Sequence, residues 1–187
     1  MAYDIIYMDP PWDYNGQHQH NKGSKTSEAK DHYPTMTTVQ MAEEITLPAA
    51  DNCLLFMWTS SPHLDQAIWL GKEWGFDWAT VAFVWEKQVP NPGFYTMSEC
   101  ELCLVFKKGK IPSPRGSRSE RQFLSERRRE HSRKPDEIRN RIHRMFPDAR
   151  KIEMFSRVKS KHWDVWGNQT DLFEAELDFS DLSSFLQ

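Results

Sequence analysis

The chain has 187 residues, 39% of them hydrophobic, and a net charge of -3. That length is one domain with enough apolar content for a proper core, and no apolar run is long enough for a membrane-spanning helix. The N-terminus lacks a basic stretch followed by an apolar one, so no secretory signal is expected, and three cysteines in a chain this long point to reduced thiols and a cytoplasmic setting.

The elements alternate along the chain. "YDIIYM", Tyr3 to Met8, reads as a short buried strand, and the polar run from Asp13 to Asp31 reads as a long loop. A helix is expected from about Thr37, where a capping Thr opens "TTVQMAEEITL". "NCLLFMWT" is a second strand, and "SPHLDQAIWLGKEWG" carries Ser-Pro and Gly as helix punctuation. "WATVAFVWEK" and "ELCLVFKKG" are strands flanking a Pro/Gly-rich loop at 88–99. The basic stretch 110–133 reads as a loop with one turn of helix. "KPDEIRNRIHRMFP" is a helix with Ile138, Ile142 and Met145 facing inward, "RKIEMF" a fifth strand, and "HWDVWGNQ" a short terminal segment. This alternation implies an α/β fold, a mainly parallel sheet flanked by helices. Residues 1–169 form the expected domain. The acidic stretch 170–187, with spaced Leu and Phe, reads as a tail or partner-binding segment.

Charge is distributed unevenly. Lys107 to Arg144 holds 14 Lys/Arg against 5 Asp/Glu, a local +9 that leaves -12 on the rest. A basic block in an acidic chain fits either a solvated face or a local polyanion contact. Eight tryptophans supply core, or surfaces that stack on bases and cofactors.

The first strand ends on Asp9-Pro10-Pro11-Trp12. Two prolines remove two ladder donors, so the strand must stop there. One reading is a stiff turn. The other is a rigid polar shelf at a strand's C-terminal end, where ligands of open α/β sheets bind. An Asp carboxylate and a backbone carbonyl held in fixed geometry can each accept one N–H of an exocyclic amine, freeing its lone pair for an electrophilic methyl group. The aromatic at the fourth position offers a face to the base.

Asp-Pro-Pro-Trp after a strand resembles the catalytic motif of the MT-A70 family of adenine-N6 methyltransferases. "HYPTM" resembles the end of that family's gate loop, and "LFMWTSSPHL", "FVWEK" and "GFYTMSECELCLVFKKG" its next strands and connections. "RREHSRKPDEI" resembles the bacterial branch, and "KIEMFSR" and "WDVWGNQ" complete a likeness running from Tyr3 to Gln169 in the family's order. The "HSRKP" segment precedes the last strand, as in the permuted class of amino-methyltransferases.

The resemblance implies a Rossmann-like methyltransferase sheet binding S-adenosyl-L-methionine and releasing S-adenosyl-L-homocysteine. It implies Asp9, Pro10, Pro11 and Trp12 as the catalytic set, with Asp9 also at the cofactor. Lys134 would meet the donor's carboxylate, Glu153 its ribose hydroxyls, Phe155 its face and Arg157 the ribose region, with Asn168 and Gln169 at the ribose and adenine edge. Tyr33 and His32 would approach the base from the gate loop. No G-x-G-x-x-G occurs, as in this family, and Lys159 stands where the animal RNA-methylating members carry a cofactor-contacting His.

Beside such a site, Arg127, Arg128, Arg129 and Arg133 become phosphate contacts. The substrate expected is DNA in a prokaryotic or phage setting. RNA and a non-catalytic nucleic-acid-binding subunit are the alternatives, and a homodimer is a further expectation. Cys100-x-x-Cys103 lies in an apolar strand and reads as core. His18, His20 and His32 lack a carboxylate partner, so no metal is expected. Gln169-Thr170-Asp171-Leu172-Phe173 has the Q-x-x-L-F spacing of peptides that dock on sliding clamps.

Overall fold

The computed structural model describes residues 1–13, 35–93, 95–129, 133–156 and 159–167. Strand β1 (Tyr3–Met8) lies near the middle of the sheet, parallel to β2 (Ala49–Thr59) on one side and β6 (Lys151–Met154) on the other. Beyond β6 comes β7 (Asp164–Trp166), and beyond β2 come β4 (Ser98–Lys108), β3 (Asp77–Asn91) and β5 (Phe123–Ser125). Among the described residues this makes a 7-stranded sheet of order β5-β3-β4-β2-β1-β6-β7. Only the β2/β4 and β3/β4 ladders are antiparallel, so β4 alone runs against the rest.

Period-two alternation sends each central strand's side chains to two cores. Ile6, Met8, Leu55 and Met57 pack with Met41 of α1 (Thr38–Glu44) and with Ala67 and Leu70 of α2 (Leu64–Glu73). Ile5, Tyr7, Leu54, Phe56 and Trp58 pack with Ile138 and Ile142 of α3 (Asp136–Met145) and with Phe146. Both faces are covered, which is why "YDIIYM" and "NCLLFMWT" read as unbroken apolar runs instead of alternating ones.

Helix α1 begins where the capping Thr placed it. Gln40 N–H donates to Thr37 Oγ1 at 3.2 Å, and Thr37 N–H donates back to Gln40 Oε1 at 2.9 Å. Helix α2 follows a 3-10 turn at Ser61–His63 and ends before Gly75, whose φ of 79° suits a residue without a side chain.

Three expectations from the sequence need correction. Strand β3 continues to Asn91, past Pro90, because a register shift and a left-handed Gln88 (φ 57°) carry the chain over the irregularity. The basic stretch contains β5, parallel to β3 through Val84, Trp85 and Glu86, and no turn of helix among its described residues. "DVW" is strand β7, parallel to β6. Strands of three residues at a sheet edge carry too little apolar pattern to be seen in sequence. No helix of the described residues is long and apolar enough to cross a membrane.

Candidate active site

β1, β2, β3 and β6 run in one direction, so their C-terminal ends share one edge of the sheet, and the antiparallel β4 brings its beginning there. Thr59 at the end of β2 pairs with Leu102, which puts Glu101 just beyond it. On this edge the prolines end β1. Trp12 N–H turns back to the Pro10 carbonyl at 2.8 Å, and Met36 N–H donates to the Pro11 carbonyl at 2.9 Å. The Pro10 oxygen is thereby oriented, and its second lone pair can still accept another N–H.

Trp12 is not the open stacking face expected of it. It is 4% exposed, donates its indole N–H to the Trp58 carbonyl at 3.1 Å and stacks on His63 at 5.7 Å. The indole braces the tetrapeptide against β2. His63 is itself buried. Its Nε2 reaches the Asp13 carbonyl at 3.4 Å, which requires the proton on Nε2, so Nδ1 accepts from the Ser60 hydroxyl at 2.9 Å. Burial lowers the His63 pKa and keeps the ring neutral.

Lys134 comes from the other end of the chain, immediately before Pro135 caps α3. Its ammonium bonds Asp9 Oδ2 at 2.7 Å and Glu101 Oε2 at 3.2 Å, and lies 5.8 Å from the centre of the Trp58 ring. Lys87 reaches the other Glu101 oxygen at 3.4 Å. Burial pushes the Glu101 pKa up, but Lys134 and Lys87 outweigh it and hold the carboxyl below its ordinary value.

A second cluster supports the end of β6. Asp136, 4% exposed, accepts from Arg139 at 2.7 Å, Arg133 at 2.8 Å and Arg129 at 3.2 Å. Arg139 then donates to Glu153 Oε2 at 2.9 Å, and no hydrogen bond to Glu153 Oε1 is made among the described residues. Burial raises the Glu153 pKa, and Arg139 offsets only part of that rise. Phe155, with a left-handed φ of 59°, meets Trp166 edge-on at 5.3 Å. Gly167 sits so close to Ser156 that a Cβ on it would fall 2.5 Å from the Ser156 carbonyl.

The family model described as MT-A70 matches residues 3–169. The chain belongs to the MT-A70 family. It is 46% identical over 179 residues to the Type II methyltransferase M.MunI of a Mycoplasma species, covering 88% of this chain and 76% of that protein. It is 28% identical over 184 residues to the human N(6)-adenosine-methyltransferase catalytic subunit METTL3, covering 89% of this chain and 28% of that one. A Medicago truncatula protein named as a putative N(6)-adenosine-methyltransferase MT-A70-like is 29% identical over 183 residues, of which the match spans 26%. The chain thus spans about a quarter of the length of these plant and animal MT-A70 relatives.

Within the MT-A70 chain, Asp9, Pro10, Lys134 and Glu101 meet at one edge, with Glu153 and Phe155 ending β6 on the same side. His32, Tyr33, Arg157, Asn168 and Gln169 lie outside the described residues, as do His18, His20 and the 170–187 segment. Arg129 and Arg133 need correction as phosphate contacts, since both point their guanidinium groups at buried Asp136. Arg127 and Arg128 are exposed. Cys103 is buried, Cys100 half-buried and both are free thiols. No cluster of three metal-ligating side chains occurs among the described residues. The sequence reading missed Glu101, Lys87, His63 and Arg139. The only signal was charge in odd places, such as Glu101 and Lys87 inside apolar strands.

Proposed function

We propose that this MT-A70 protein transfers a methyl group from S-adenosylmethionine to the N6 amine of adenine in DNA. The observation that carries the reading is the 2.7 Å bond between Asp9 and Lys134, which joins the tetrapeptide to the "SRKP" segment 125 positions later. The relative named a Type II methyltransferase supports DNA, and those named adenosine methyltransferases support the N6 amine.

The residues present fit the methyl donor. Lys134 is a cation at the sheet edge for the donor's carboxylate. Glu153 has one oxygen fixed by Arg139 and the other available to ribose hydroxyls. Gly167, lacking a side chain, lets backbone approach backbone where β6 and β7 end. The bound donor supplies an electrophilic methyl group on a sulfonium. On the acceptor side, Asp9 and the Pro10 carbonyl each take one N–H of the amine. Trp12 N–H fixes the direction of that carbonyl, and the Trp12–His63 stack keeps the shelf from moving. The N–H held by Asp9 becomes acidic only as the N–C bond forms, so no prior general base is needed. A duplex substrate must first expose the base, at a cost of a few kcal/mol.

Transfer of a tritiated methyl group to duplex DNA, single-stranded DNA and RNA tests this. DNA is expected to be labelled, with Asp9→Ala slower by about 10²–10³-fold, the range for loss of one preorganised polar group. Label on RNA alone would move the substrate. No label on any of the three would overturn the enzyme reading, and equal rates in Asp9→Ala would overturn the site.

A further inference from the structure

The hairpin between β3 and β4 stands beside the site. Asn91 pairs with Ser98, closing a loop over 92–97. Ser98 lies three positions before Glu101 on β4, so at strand rise the loop begins about 10 Å beyond the carboxylate that holds Lys134. The loop is stiff. Pro90 and Pro92 fix their φ angles, and any side chain at Gly93 would collide with the Thr96 carbonyl. At its tip Tyr95 is 99% exposed and Met97 55% exposed.

A chain of contacts ties this post to the catalytic aspartate. Lys87 of β3 bonds Glu101, Glu101 bonds Lys134, and Lys134 bonds Asp9, at 3.4, 3.2 and 2.7 Å. The basic segment runs along the same flank. Arg128 N–H donates to the Lys87 carbonyl at 3.1 Å, and its guanidinium donates to Asn91 Oδ1 at 3.0 Å. Arg129 and Arg133 face Asp136, whereas Arg127 and Arg128 are exposed, and Arg128 lies against the hairpin.

We infer that this hairpin is the wedge by which the protein opens duplex DNA. Tyr95 and Met97 enter the base stack next to the target adenine, and Arg127 and Arg128 hold the flanking phosphates. An aromatic ring stacks on any base, and methionine is among the apolar side chains that prise base steps apart. A post rising about 10 Å matches a groove depth of about 8 Å. The adjoining cations favour a polyanion over a second copy of this acidic chain. The inference rests on the proposed function, because a wedge is useful only to an enzyme that must take a base out of a duplex.

The test compares unmethylated plasmid DNA in duplex form with the same DNA heat-denatured, using the full chain and tritiated methyl donor. The Tyr95→Ala/Met97→Ala double variant should keep the native melting temperature and lose about 10-fold or more on the duplex relative to the single strand. Tyr95→Trp retains a flat ring and should restore the duplex rate. Arg127→Ala and Arg128→Ala should each lower the dependence of log affinity on log salt by about one. If the unaltered protein labels neither form, the transferase reading fails. If it labels only the single strand, or if the double variant changes both forms by the same factor, the wedge is overturned. A smaller sedimentation mass for the double variant would assign the tip to self-association and overturn it too.

Discussion

Glu101 and Glu153 stand at the same edge of the same sheet, on β4 and β6, and their acidities move in opposite directions. Burial opposes the charge on both. Glu101 has two ammonium groups, from Lys134 and Lys87, and they win. Glu153 has one guanidinium, which Asp136 shares, while Asp136 and Asp9 add repulsion, so burial wins. The difference lies in the ratio of cations to carboxylates around each group. It also separates two kinds of support. Lys134 is held by two part-exposed carboxylates and can be shared with a ligand. Arg139, itself buried, is locked between buried Asp136 and half-buried Glu153 and acts as a brace.

The comparison breaks most sharply at Arg139. Arg139→Met should cost about 3–5 kcal/mol in a urea titration, because it strands Glu153 and removes one partner of Asp136. A loss under about 1 kcal/mol would show that the brace carries little. Lys87→Met should cost about 1–2 kcal/mol at neutral pH, since Glu101 keeps Lys134. Glu101 is depressed in the folded state, so its stabilisation is present above the ordinary 4.5 and fades as pH falls through the lower native value. The gap between Lys87→Met and the unaltered protein should therefore narrow in acid.

Glu153 predicts the reverse slope. Its native value is raised, so stability falls as pH rises from 4.5 through that value, and Glu153→Gln should remove this slope from melting curves. The smallest effect is expected at His63, a buried ring whose pKa is lowered chiefly by burial. Its native pKa is lowered, so the unaltered protein loses stability as pH falls below 6.5. His63→Phe should flatten that part of the curve while costing about 1 kcal/mol at pH 8. An unchanged slope would mean that His63 is not what titrates.

Much of this architecture was readable beforehand because the signals were local. Double prolines stop β1, Thr37 and Gln40 cap α1, and Pro135 starts α3. The apolar runs of β1 and β2 announced strands buried on both faces. The edge strands β5 and β7 escaped notice because they are held by backbone bonds to a neighbour, which leave no mark on side-chain periodicity. Arg129 and Arg133 looked like free cations because nothing local shows that Asp136 is buried beneath them. Trp12 looked like an open platform because its partner His63 is 51 positions away.

By itself the sequence determined the alternation of the main strands and helices and the place where β1 must stop. These depend on near-neighbour sterics, capping and periodicity, which act over a few residues. Only the tertiary structure decided that Lys134 bonds Asp9, that Glu101 and Lys87 join them, and that Arg139 stands behind Glu153. Those contacts exist because parallel strands bring their C-terminal ends to one edge while the reversed β4 brings its beginning. Charges distant in the chain then share a site that water only partly reaches.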